Sequence, residues 1–182
     1  MAATSEMLDI ALRNAPNACC LVPERREEVT TEGGLEVVGA HNTLKPYIRQ
    51  IRDGSIRVSL FIDADEEQIR AASELHADIV ELHTGPYCHA VNDGDEARTA
   101  DELERLVSAS TLAHSLGLEV HAGHGLTFDS VGPVAAIPEM TELNIGHYLI
   151  GEAIFGGLHS TVQRMRHMMD RAREEASGLK TA

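Results

Sequence analysis

The sequence predicts a parallel α/β fold, and three observations carry that prediction. Short apolar runs alternate along the chain with amphipathic helical stretches, the pattern of βαβ units. The runs are nearly continuous in apolar residues, as strands covered on both faces require. The connections between them are short and polar or Gly-rich. Five strands can be counted in this way. The alternatives are a doubly wound sheet and a (β/α)8 barrel. No Gly-x-Gly-x-x-Gly leads from a strand into a helix and no Walker-type glycine loop is present, so the nucleotide-binding signals of the first are missing.

Taken in order, the first helix is expected over 4–12, with Thr4 or Ser5 as N-cap and Pro16 beyond its end. A short apolar strand over 18–22 ends at Pro23 and is followed by the loop Val29-Thr30-Thr31-Glu32-Gly33-Gly34. A helix near 42–52 leads to a buried strand over 57–62. Asp63 to Glu67 then puts acids where the positive end of a helix dipole favours them. The strand over 78–83 stops at Thr84-Gly85-Pro86, and a long helix over 94–115 has Gly117 past its end as a cap. Residues 118–122 form a further strand running into Gly123-His124-Gly125, and 133–137 a short helix or turn. The last strand is expected over 142–147, leading into 148–155. A final helix over 158–175 carries Leu158, Val162, Met165 and Met169 on one face.

The chain has 182 residues, which suits a single domain over 1–182. Its net charge of −14 repels nucleic acid and anionic lipid, and 3% aromatics without Trp leaves little for base stacking. Adjacent Cys19 and Cys20 and a distant Cys88 make neither a disulfide framework nor a zinc knuckle, and the pair reads as small buried hydrophobes. There is no bilayer-length apolar run and no signal-peptide pattern at the N-terminus, so a reduced, cytoplasmic protein is expected.

The chemistry concentrates at strand ends. His83, His124 and Gly146-His147 all fall at the C-terminal ends of predicted strands, which in a parallel α/β protein converge on one ligand-binding face. Single histidines there are commonly structural, but three flanked by glycine point to a shared site. Glu81 lies within an apolar strand and shares a face with His83 by two-residue alternation. It is either a structural ion pair with an arginine or, the favoured reading, a carboxylate lining a barrel interior near its mouth. His121 and His124 lack the spacing and glutamate of a zincin, so a zinc centre built with His83 and His147 is the minority view. Gly123, Gly125 and Gly146 offer backbone N–H groups as an oxyanion or phosphate cradle.

Several strings carry a resemblance to a known family. Cys19-Cys20-Leu21-Val22-Pro23-Glu24, Val29-Thr30-Thr31-Glu32-Gly33-Gly34-Leu35 and Ser59-Leu60-Phe61-Ile62-Asp63 resemble the pyridoxine 5'-phosphate synthase family. So do Glu81-Leu82-His83-Thr84-Gly85, Ala122-Gly123-His124-Gly125-Leu126-Thr127 and Glu142-Leu143-Asn144-Ile145-Gly146-His147, in order over nearly the whole chain. The resemblance implies a (β/α)8 TIM barrel and a homo-octamer. It implies 1-deoxy-D-xylulose 5-phosphate and 3-amino-2-oxopropyl phosphate as substrates and phosphate and water as co-products; no cofactor and no metal is expected. Residue by residue, it implies that His124 is the proton donor and Glu81 stabilises the transition state. Thr30 would bind the deoxyxylulose phosphate, and Gly125, Gly146 and His147 the amino-oxopropyl phosphate. His121 departs from the family, which often has Asn there.

By this resemblance the five strands are the family's fourth to eighth. The first three strands, with an Asn-x-Asp-His segment, a His/Arg-rich strand end and a glutamate base, have no counterpart in the chain. Two expectations follow: Met1 is not the natural start of the working enzyme, and the chain is a synthase of this family without its N-terminal portion. The alternatives are a non-catalytic barrel remnant serving as an assembly or binding module, and a metal-dependent barrel hydrolase.

Overall fold

The computed structural model of the chain describes residues 1–23 and 33–178. Among the described residues five strands form one parallel sheet: β1 (Ala18–Leu21), β2 (Arg57–Ile62), β3 (Ile79–His83), β4 (Glu119–Gly123) and β5 (Met140–Asn144). Their order across the sheet is their order along the chain. The sheet therefore lacks the reversal of strand order that defines a doubly wound fold, and runs as barrel strands run. Among the described residues no helix is long and apolar enough to cross a membrane.

Alternation along the strands divides the sheet into two unlike faces. Leu21, Val58, Leu60, Ile62, Val80, Leu82, Val120 and Ala122 are almost wholly buried and join one apolar cluster with Leu44, Ile48, Ile51, Ile69, Leu106 and Ala113. Those partners belong to the helices α2 (Val37–Asp53), α3 (Glu66–Glu74) and α5 (Glu96–Ser115), so this is the helix-covered face. The register sets Cys20 beside Ser59, Phe61 beside Glu81, Glu81 beside His121 and His121 beside Glu142 on the other face. A bulge between Val120 and His121 leaves Thr141 as the extra residue, its hydroxyl donating to the Val120 carbonyl at 2.9 Å. The bulge keeps Glu142 and Asn144 on the polar face, level with His121 and Gly123.

Helix boundaries depart from the sequence expectation where a partner lies far along the chain. The first helix, α1 (Ser5–Asn14), has Thr4 as N-cap as expected. α2 starts well before residue 42, because its first N–H groups are satisfied. Glu36 accepts from Gly39, and Gln68 Oε1 accepts from Val37 at 2.7 Å. α4 (Gly85–Asp93) is an addition to the expected elements; Thr84-Gly85-Pro86 reads as a stop, whereas Pro in a first turn is compatible with a helix. Gly94 closes α4 at φ +69° and Asp95 caps α5. β5 begins earlier than 142 and ends at Asn144, α6 (Val131–Ala135) is likewise shifted, and α7 (His147–Gly156) starts on the predicted site histidine. On α8 (Leu158–Ala176) Met165 is buried against Phe128 and Val131, with Met169 packed beside it. Leu158 and Val162, expected on the same packed face, are largely exposed.

Asp65 gives a direct test of the cap before α3. Its carboxylate accepts from Glu67 N–H at 2.9 Å and Gln68 N–H at 3.2 Å. Asp65→Ala is expected to lower unfolding stability by about 1 kcal/mol and Asp65→Asn by much less, read from the midpoint of urea unfolding.

Candidate functional site

The polar face opens at the C-terminal strand ends into a cavity of about 490 Å³. Its walls include Phe61, Glu81, His124, Gly125, Asn144, Gly146 and His147. The structure thus brings together five of the six residues to which the resemblance gives a role: Glu81, His124, Gly125, Gly146 and His147; His83, expected beside them, stands behind His124 and outside the cavity wall. The sixth, Thr30, lies outside the described residues.

Glu81 sits half-buried in the middle of β3. The Cys20 thiol donates to its Oε2 at 3.6 Å, and a Cβ on Gly123 would stand 2.6 Å from its Oε1 and 2.8 Å from the Asn144 carbonyl. Glycine at 123 is therefore what lets β4 pass beside the carboxylate. Burial raises the Glu81 pKa, against the hydrogen bond from Cys20, the charge of His121 and a hydrogen bond with Asn144. Burial, and next the charge of Glu81, push the Cys20 thiol up to about 12, so it remains a proton donor. Cys19 is buried on the helix-covered face as expected, but Cys20 is not a plain hydrophobe: it is a partner of Glu81. Among the described residues the hydrogen bonds of Glu81 come from Cys20 and Asn144, and the arginine pairing considered from the sequence is not among them.

His124 follows β4 in a left-handed backbone conformation, φ +77°, and Gly125 continues it at φ +90°. A side chain at 125 would also crowd Cys88, so glycine is required there on both counts. The His124 ring meets His83 edge-on at 5.0 Å between centroids, and Phe61 stands 6.2 Å away. Burial lowers the His124 pKa, and the charges of His83, His89 and His147 act in the same direction. His83 is nearly inaccessible and its Nδ1 lies 3.0 Å from Asp63 Oδ1. That hydrogen bond holds the Asp63 carboxyl below its ordinary value.

His121, by contrast, is not part of the cavity wall. It lies one layer deeper, 2.7 Å from Glu119 and 3.7 Å from Glu142, and Glu119 is in turn held by Arg57 at 2.6 Å. Among the described residues no three His, Cys, Asp or Glu side chains converge as metal ligands would.

The family model for pyridoxal phosphate biosynthesis protein PdxJ matches residues 1–171. The chain belongs to that family. Pyridoxine 5'-phosphate synthase of Ruegeria pomeroyi is 60% identical over 173 residues, covering 95% of this chain and 70% of that protein. The Zymomonas mobilis protein of the same description is 57% identical over 175 residues, covering 96% of this chain and 67% of its own length. That of Bradyrhizobium sp. is 53% identical over 178 residues, covering 98% and 70% respectively. Against this PdxJ background, three residues around the cavity escape sequence reasoning: Cys20, Asp63 and Thr84. Each acts across a long stretch of chain, and no local spacing announces the pairing.

Proposed function

We propose that this PdxJ-family chain performs the ring-closing condensation of 3-amino-2-oxopropyl phosphate with 1-deoxy-D-xylulose 5-phosphate. The products are pyridoxine 5'-phosphate, phosphate and water. The observation that carries the reading is the meeting of Glu81 on β3 with His124, just past the end of neighbouring β4, in one cavity rimmed by Gly125, Gly146 and His147. Condensing an amine with a ketone develops positive charge and expels oxygen as water. A carboxylate below the reacting atoms stabilises the first, and a proton donor completes the second. Glu81 takes the first role and His124 the second. Gly125, Gly146 and His147 bind 3-amino-2-oxopropyl phosphate, Gly146 and His147 at the N-terminal end of α7. Thr30 is assigned to the deoxyxylulose phosphate.

In this reading the five strands are the fourth to eighth of a (β/α)8 barrel, a placement supported by their unbroken sequential order and by the cavity at their C-terminal ends. The chain assembles as a homo-oligomer, an octamer by the family's pattern. The test is incubation with both phosphorylated substrates, followed by mass spectrometry for the pyridine product and a separate phosphate assay. Product and inorganic phosphate are expected in equal amounts, and only with both substrates present. Phosphate released from either substrate alone would instead mark a hydrolase and sink the reading.

A further inference from the structure

His124 occupies a backbone region that L-residues other than Asn, Asp and His seldom enter, and such a conformation persists only where its surroundings hold it. The adjacent residues His83 and Thr84 supply that hold. Thr84 is wholly buried, and its hydroxyl lies 2.7 Å from both the Gly123 and the His124 carbonyl oxygens. The Gly123 carbonyl also accepts the backbone N–H of Thr84 at 2.9 Å. For the His124 carbonyl, the other contact among the described residues is the Cys88 thiol at 3.9 Å.

What the hydroxyl does not do is equally informative. Thr84 stands at the N-cap of α4, where threonine ordinarily accepts a hydrogen bond from the first turn. Here the side chain makes no capping bond. It is turned away from its own helix toward the backbone of His124. His83 completes the hold from the side, with its ring edge against the His124 imidazole and its Nδ1 anchored to Asp63 Oδ1. The same oxygen accepts the Gly34 N–H at 3.0 Å.

We propose that Thr84 is the positioning residue of His124: its hydroxyl holds the Gly123 carbonyl and the left-handed His124 backbone so that the imidazole faces the cavity, while His83 walls the ring. The proposal rests on the reading of His124 as proton donor. It is tested by Thr84→Val and Thr84→Ala, which remove the hydroxyl, beside Thr84→Ser, which keeps it. The first readout is the imidazole NMR titration of His124, assigned by its loss in His124→Asn, and it needs no turnover. Loss of the hydroxyl is expected to release the ring toward water and raise its midpoint toward the ordinary value of 6.5, with Thr84→Ser unchanged. The second readout is kinetic. Thr84→Val lowers kcat by about 10²-fold, leaves KM for both phosphates within about 2-fold, and has no further effect when added to His124→Asn.

An unshifted His124 titration in folded Thr84→Val or Thr84→Ala would overturn the proposal, even if both melt at lower temperature. Failure of both to fold, with Thr84→Ser intact, would make the hydroxyl a requirement of the fold and overturn it too. Absence of the condensation in every form, wild type included, would count against the proposed reaction, and the titration would still decide for or against the clamp.

Discussion

Replacing His124 with Asn is expected to lower turnover by at least about 10²-fold, the scale of lost general acid catalysis. Asparagine suits the position because it tolerates the left-handed backbone that His124 adopts at φ +77°, so the fold should survive the change. The pH behaviour supplies an independent check. Burial, aided by His83, His89 and His147, holds the His124 pKa below 6.5 in the folded protein. The folded state therefore binds this proton more weakly than the unfolded chain does. The corresponding stability is complete above 6.5 and is lost as pH falls through the lower, folded value. Acidification below 6.5 should accordingly cost the wild type more thermal stability than it costs His124→Asn. Unchanged turnover of the variant at saturating substrates would remove His124 from the chemistry.

Glu81→Gln is expected to reduce kcat by about 10²- to 10³-fold, more than it changes either KM, because it removes charge aimed at the developing cation. Its effect on stability should have the opposite sign. Burial is the largest influence on Glu81 and raises its pKa above 4.5. A raised carboxyl favours the fold below the unfolded value and loses that contribution as pH rises through the folded one, so at neutral pH the ionised form burdens the structure. The amide that replaces the carboxylate keeps an oxygen to accept the Cys20 thiol and carries no charge. The melting temperature of Glu81→Gln at about pH 7 should equal or exceed that of the wild type, with the gap closing toward about pH 4. A variant that melts lower at neutral pH yet retains full kcat would make Glu81 a structural group.

The strands are the legible part of this sequence. β2, β3 and β4 announce themselves because both of their faces are buried, which turns Val58-Ser59-Leu60-Phe61-Ile62 or Ile79-Val80-Glu81-Leu82 into nearly unbroken apolar runs. β5 lies earlier than expected because Met140-Thr141-Glu142-Leu143-Asn144 is an exposed edge strand. The apolar Ile145 beyond it draws the reading onward. Glu81 and His124 can be singled out because a polar residue inside an apolar run, or between two glycines, contrasts with its neighbours. Cys20, Asp63 and Thr84 offer no such contrast. Their meaning comes from atoms 61, 20 and 40 residues away, a relation that strand register creates and periodicity does not encode.

The sequential order of the sheet has a consequence for how the chain reaches this state. Among the described residues each strand pairs with the one made just before it, so these four pairings form between neighbours along the chain. The loops that these pairings close come in two sizes. Those joining β2 to β3 and β4 to β5 are about half as long as those joining β1 to β2 and β3 to β4. Halving a loop saves only about 0.6 kcal/mol of closure entropy. Chain statistics therefore barely rank the four pairings, and the order in which they form is left to side-chain burial. Val80 and Leu82, at the centre of the buried face and paired on both sides, then make β3 the natural place for the sheet to begin.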